Sequence, residues 1–489
     1  MSEERAKENS YNSILKRISA FGGLQIFTIL INLLRGKFVA LLLGPAGMGV
    51  SSLFLTSSNT IQQLGSLGLN LSIVKEAASA KDDPSRSANV MAVARRLIWL
   101  TSILGALICI ILSPLLSRWT FGSTDYTPGF ILLGLAVALT IAGTGYQAIL
   151  QGVGEIKRLS KASIIGSLTG LLSGVPLYYF FGTAGIVPAM VILALVTFIF
   201  YYHSFRKGVS VESVAFDRLR HSKLVKRLIS LGFVFMIGSL VGSATNYAIN
   251  AIVRYYGSMA DVGLFQAANS LTNQYVGIVF SALALDYFPR ISAVSEDAGQ
   301  LRDVVNRQAE IVILIATPLL LALIAMASLV IRILLSADFL PTIPLVRWLA
   351  LGTLLQAVTF PLGYIFLAKN NKKVYMWGEV VTGNILWIIC SVAGYLLFGL
   401  VGLGISVVAR SLLDIGISYT LCRHFYSFSY YRNVALTIAG CLLAATAGFL
   451  CSFNESVWGF AGLWTCVVAT TIFALWRLRR LLQSEKESR

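Results

Sequence analysis

From Gln25 to Gly49 the chain reads QIFTILINLLRGKFVALLLGPAGMG, a run long and apolar enough to cross a bilayer. Within it Gln25, Thr28, Asn32 and Arg35 recur at spacings of three, four and three, which stacks them on one face of a helix. A polar stripe ending in a guanidinium therefore lies inside a membrane helix. At about 1.5 Å per residue, Arg35 sits roughly 13 Å below the Gly44-Pro45 break, too deep to reach water easily by snorkelling. A lone arginine at such depth costs at least about 2.5 kcal/mol, so something wet or anionic is expected to face it. Lys37 follows two residues later, about 200° around the helix, and leans toward the outer interface instead.

The whole chain shares this character. Its 489 residues are 56% hydrophobic and only 12% charged, with a mean hydropathy of +0.76, far too few charges to cover soluble domains of that mass. Helix-length windows give about fourteen spans. The net charge of +17 is spread in short clusters between the apolar runs, without the basic face that nucleic acid would require. With a cytoplasmic N-terminus, all but seven of the 39 Lys and Arg fall on the cytoplasmic side. The exceptions are Arg35, Lys37, Arg118, Arg254, Arg332, Arg347 and Arg410. That asymmetry places both termini in the cytoplasm. The first sixteen residues are polar and the first apolar run lacks a small-residue cleavage pattern, so this helix is expected to stay as an anchor.

The two halves echo each other. LLGPAGMGVSSLF from Leu42 is matched by YYGSMADVGLFQA from Tyr255, and YQAILQGVGEIKRLSK from Tyr146 by YIFLAKNNKKVYMW from Tyr364. The common offset of about 215 residues fits six spans repeated in parallel orientation, with two further spans at the end. The expected fold is an all-α polytopic membrane protein: a lobe over 1–215, a second over 216–421, and two extra helices with a basic tail over 422–489. The basic stretch from His203 to Arg227 reads as an interfacial hinge between the lobes.

Polar stripes mark equivalent spans. The second carries Asn59, Gln62 or Gln63, Ser66 and Asn70; the seventh Ser239, Ser243, Asn246, Asn250 and Arg254; the eighth Gln266, Asn269 and Asn273. One such stripe is also what helix packing alone requires. Four on corresponding helices favour a shared hydrated cleft. Arg410 and Asp414 sit mid-span at i and i+4, either as a self-neutralised pair or with Arg410 charging the cleft and Asp414 exchanging a proton. Glu310 and Glu379 fall near cytoplasmic helix ends and read as interfacial.

Several function classes drop out. There is no G-x-x-x-x-G-K-[ST] loop, nucleophile elbow or helical zinc motif, and no outer loop large enough for an enzyme domain. The six cysteines lack C-x-x-C spacing and His203, His221 and His424 stand singly, so neither a metal nor another cofactor is expected.

The uncleaved first helix with its internal arginine, LLGPAGMG after it, the polar second helix, VKEAASA and YQAILQGVGEIKRLSK together resemble the Wzx-type flippases of O-antigen and other polysaccharides. These form the polysaccharide transporter branch of the multidrug/oligosaccharidyl-lipid/polysaccharide exporter superfamily. The peptidoglycan lipid II flippases of that superfamily are similar too. The drug exporters carry coupling acids in the first helix, where this chain has Arg35. The resemblance implies a flippase in the bacterial cytoplasmic membrane that moves an undecaprenyl-diphosphate-linked oligosaccharide by alternating access, driven by an ion gradient. It implies membrane lipids, a polysaccharide polymerase and a chain-length regulator as partners, and no nucleic acid. On this reading Gln25, Asn32, Arg35, Asn59, Asn246, Asn250, Arg254, Asn269, Asn273 and Arg410 bind substrate and Asp414 couples the ion. The rivals are a lipid II flippase, a multi-span polymerase or ligase, and a non-transporting scaffold.

Overall fold

A computed structural model describes residues 2–80, 83–208, 218–369, 371–454 and 456–487. The chain is helical almost throughout. Its opening helix, α1 (Ser2–Ser66), contains one non-helical residue, Gly44, at φ 65° and ψ −171°. Only a residue without Cβ adopts that conformation cheaply, and Pro45, whose missing N–H costs nothing in a first turn, starts the next arm. The sequence break is thus a reversal between two membrane crossings.

The chain continues through α2 (Leu69–Ser79), α3 (Pro84–Ile111), α4 (Ser113–Phe121), α5 (Thr127–Val153), α6 (Ile156–Phe181), α7 (Ile186–Gly208) and α8 (Arg218–Tyr256). Then follow α9 (Met259–Ala293), α10 (Ala298–Leu334), α11 (Ile343–Ala368), α12 (Thr382–Tyr426), α13 (Arg432–Cys451) and α14 (Val457–Glu487). Ten stretches are long and apolar enough to span a bilayer. Three of them, of 37, 51 and 52 residues, far exceed the roughly 20 residues a crossing needs. They are broken at Gly44, at the 3₁₀ turn Gly182–Gly185 and at Gly399. Each therefore holds two crossings, and with α9 the described residues supply fourteen.

Contacts divide the chain into two compact units, Met1–Tyr255 and Tyr256–Arg489. In the first, α5 packs on α3 and α7, and α6 on α1 and α7. Its core gathers Ile73, Met91, Ile98, Tyr146 and Phe205, all nearly inaccessible. In the second, α11 is enclosed by α9, α10 and α12. Asp297 caps α10 by accepting from the backbone N–H groups of Gly299 and Gln300. The Gln300 and Gly299 bonds hold its carboxyl below the usual range. Large side chains such as Leu100, Ile111, Leu172 and Leu443 are 63–72% exposed. On a soluble protein they would be an aggregation surface; here they face lipid.

Glu310, read from sequence as interfacial, is 3% exposed and accepts from Arg477 Nε of α14 at 2.6 Å and from Thr437 of α13 at 3.4 Å. A buried carboxylate is stable only with such partners, and this one ties both final helices to α10.

Candidate functional site

The first unit encloses a cavity of about 300 Å³. Arg35, on the first arm of α1, reaches it, and the second arm contributes Ser58, Asn59 and Gln62. Helix α5 adds Thr140, Thr144 and Gln147, α6 adds Tyr178, and α7 adds Thr197 and Tyr201. On α1, α5 and α7 the lining residues recur at helical spacing, and with Tyr178 of α6 four elements bring polar residues to one space. Leucines and alanines such as Leu55, Ala136 and Leu193 form the remaining walls.

The donors and acceptors are set for a polar guest. Gln62 Nε2 donates to Ser58 Oγ at 2.8 Å, which orients its carboxamide. Thr140, Thr144 and Thr197 donate to carbonyls one turn back, leaving their hydroxyl oxygens as acceptors. Asn59 and Gln147 make no hydrogen bond among the described residues. Arg35 is half-buried and has no ion-pair partner among them. Among the described residues no Asp or Glu lines the cavity. A half-buried guanidinium among amides, hydroxyls and apolar walls, without a carboxylate among the described lining residues, favours an anion.

The other residues singled out from sequence lie elsewhere. Asn32 is exposed on α1 outside the cavity lining, and the side chains of Gln25 and Thr28 lie outside the described residues. On α8, Asn246 Nδ2 donates to its own helix at Gly242 O, 3.3 Å, and Asn250 is 1% exposed. Arg254 Nη2 donates to Phe121 O at 3.3 Å, where its charge meets the carbonyl end of α4. In the second unit Asn273 Nδ2 donates to Asn269 Oδ1 at 2.9 Å. Arg35 and Asn59 are thus the predicted residues that share the cavity. Gln62 was one of two choices on its stripe. Thr140, Thr144 and Gln147 were missed, although their spacing of four and three was readable.

Arg410 Nε lies 3.6 Å from Asp414 Oδ2, both side chains are 20% exposed, and the guanidinium stacks over Trp387 at 4.9 Å. Removing one partner of so shielded a pair costs about 3 kcal/mol because the other charge is stranded. Arg410→Ala is expected to lower the yield of folded protein, and adding Asp414→Ala to restore it. Export measured in the same double-mutant cycle separates structure from coupling: a rescued fold with no export assigns the pair to transport.

The polysaccharide biosynthesis protein family matches residues 38–344, well over half the chain. The chain belongs to that family. As a polysaccharide biosynthesis protein it is 24% identical over 366 residues to the lipid III flippase of Escherichia coli K12, covering 73% of this chain and 85% of that protein. A Shigella flexneri protein carrying an O-antigen transporter name is 25% identical over 307 residues, covering 60% and 70%. The structure of the lipid II flippase MurJ in an inward closed conformation superposes with a TM-score of 0.71 at 13% identity, covering 96% of this chain and 99% of that one. The fold is that of the MOP exporters, and this family member is a multi-pass inner-membrane protein.

Proposed function

We propose that the protein flips an undecaprenyl-diphosphate-linked oligosaccharide, an O-antigen or similar surface-polysaccharide repeat unit, from the inner to the outer leaflet. The observation that carries this reading is Arg35: among the described residues, a cation without an ion-pair partner in a carboxylate-free cavity lined by amides and hydroxyls. A sugar diphosphate supplies the complementary chemistry, two phosphates for the guanidinium and hydroxyls for Asn59, Gln62 and Gln147. The prenyl chain stays in lipid while the head crosses. Transport by alternating access, with residues 1–215 and 216–421 as the moving lobes and Asp414 as the ion-coupling carboxylate, completes the proposal; the polymerase and chain-length regulator would receive the product.

Purified protein in liposomes, supplied with a lipid-linked oligosaccharide on one leaflet, is expected to expose it on the other within minutes, and Arg35→Gln to abolish that movement. No movement above that of empty liposomes would remove the flippase assignment. The fold likeness to MurJ keeps lipid II as the second substrate to try. Faster movement of lipid II than of a surface-polysaccharide unit would exchange the two readings.

A further inference from the structure

A second cationic site lies apart from the cavity, at the end of the first unit that the positive-inside pattern puts in the cytoplasm. Glu76 of α2 is 1% exposed, sealed beneath two arginines from different helices. Arg227 Nε of α8 stands 2.8 Å from its Oε1, and Arg86 Nη2, from the first turn of α3, 3.7 Å from its Oε2. Arg227 Nε makes no hydrogen bond to Oε1 despite its closeness, and Arg86 stands beyond hydrogen-bond distance of Oε2, so both attractions are ionic. Arg86 Nη2 also donates to Ser79 Oγ at 3.2 Å. The arginine side chains are 56% and 45% exposed, so their outer edges face solvent. The backbone nearby is locked: a Cβ on Gly68, at the start of α2, would lie 2.0 Å from Gly232 O of α8.

The trio carries a formal net charge of +1, and its arginines cannot both turn away without stranding the buried Glu76 carboxylate. Glu76 therefore holds two guanidiniums in fixed orientation, which removes much of the side-chain entropy cost of gripping a ligand. Lys75, Lys223 and Lys226 are exposed on the same helices and add positive potential. Leu71 of α2 and Phe233 of α8, 53% and 49% exposed, offer apolar surface on those helices. Paired guanidinium forks at a membrane edge, with apolar side chains alongside, match a phosphate carried on a lipid.

We propose that Arg86 and Arg227, positioned by Glu76, bind the phosphate head of a membrane lipid at the inner end of the first unit. Two lipids share that chemistry, an anionic phospholipid and the lipid-linked diphosphate awaiting transport; the second rests on the flippase reading, and the test separates them.

Binding of farnesyl diphosphate, a short polyprenyl diphosphate, is measured by native mass spectrometry on the full-length chain carrying Arg35→Gln, so that the cavity is silent. Arg86→Gln with Arg227→Gln is expected to weaken binding at least tenfold. Glu76→Gln is expected to weaken it several-fold although it raises the net charge, and Lys75→Gln by less than twofold. Displacement by phosphatidylglycerol assigns the site to phospholipid, and its failure to displace assigns it to the diphosphate lipid. Equal affinity in all variants, or tighter binding by Glu76→Gln, overturns the proposal, since bulk positive charge would then explain the attraction. Should Glu76→Gln not fold, the half-exposed arginine pair still decides. Because the readout is binding, a negative result leaves the flipping reading intact.

Discussion

Arg35→Ala is expected to abolish surface polysaccharide in a complementation assay while protein level and membrane insertion stay at those of the unaltered chain. The two halves of that expectation have separate causes. Burying a guanidinium at membrane depth costs at least about 2.5 kcal/mol, so its removal does not weaken insertion. No ion pair among the described residues is broken by the change. Transport has no such reserve, because no second cation lines the cavity among the described residues. Arg35→Lys tests the fork geometry: an ammonium keeps the charge but loses bidentate contact with phosphate, and partial export is the expected result. Full activity of Arg35→Ala would remove this residue from the site.

Gly68→Ala is expected to produce the largest loss of stability. Gly68 has φ 65°, a region that costs an L side chain roughly 1–2 kcal/mol. Its Cβ would lie 2.0 Å from Gly232 O and 2.8 Å from Met236 N, both backbone atoms of α8 that cannot turn aside. Overpacking of that kind adds about 1–3 kcal/mol, so the sum is about 2–5 kcal/mol, enough to lose most folded protein. Size-exclusion chromatography with a melting curve reads it directly. Gly122→Ala is the control: its φ is 73°, yet a Cβ there meets nothing within 4 Å. If both variants melt alike, backbone strain rather than the α2–α8 contact sets the cost.

The contrast between what could and could not be read from residues has a physical basis. Fourteen crossings were legible because a bilayer demands some 20 apolar residues each time, and Gly44-Pro45 announces a reversal by its own chemistry. A stripe at helical spacing shows that a face is polar but not what it meets. The α8 stripe illustrates this: Asn246 turns back to Gly242 and Arg254 finishes the carbonyl end of α4. The α5 stripe, hidden in a span dominated by leucine and alanine, opens into the cavity through Thr140, Thr144 and Gln147. Glu310 looks interfacial in sequence because charged residues flank spans, and only packing shows it sealed against Arg477 from a distant segment.

The central claim is that the space beside Arg35 is wet and is occupied by the head group during transport. In a chain stripped of its six cysteines and given Thr144→Cys, a charged water-soluble thiol reagent reports on that space directly. The expected result is labelling that slows at least several-fold when a lipid-linked sugar diphosphate is added. A cysteine that stays unreactive, or reacts at the same rate with substrate present, would contradict it.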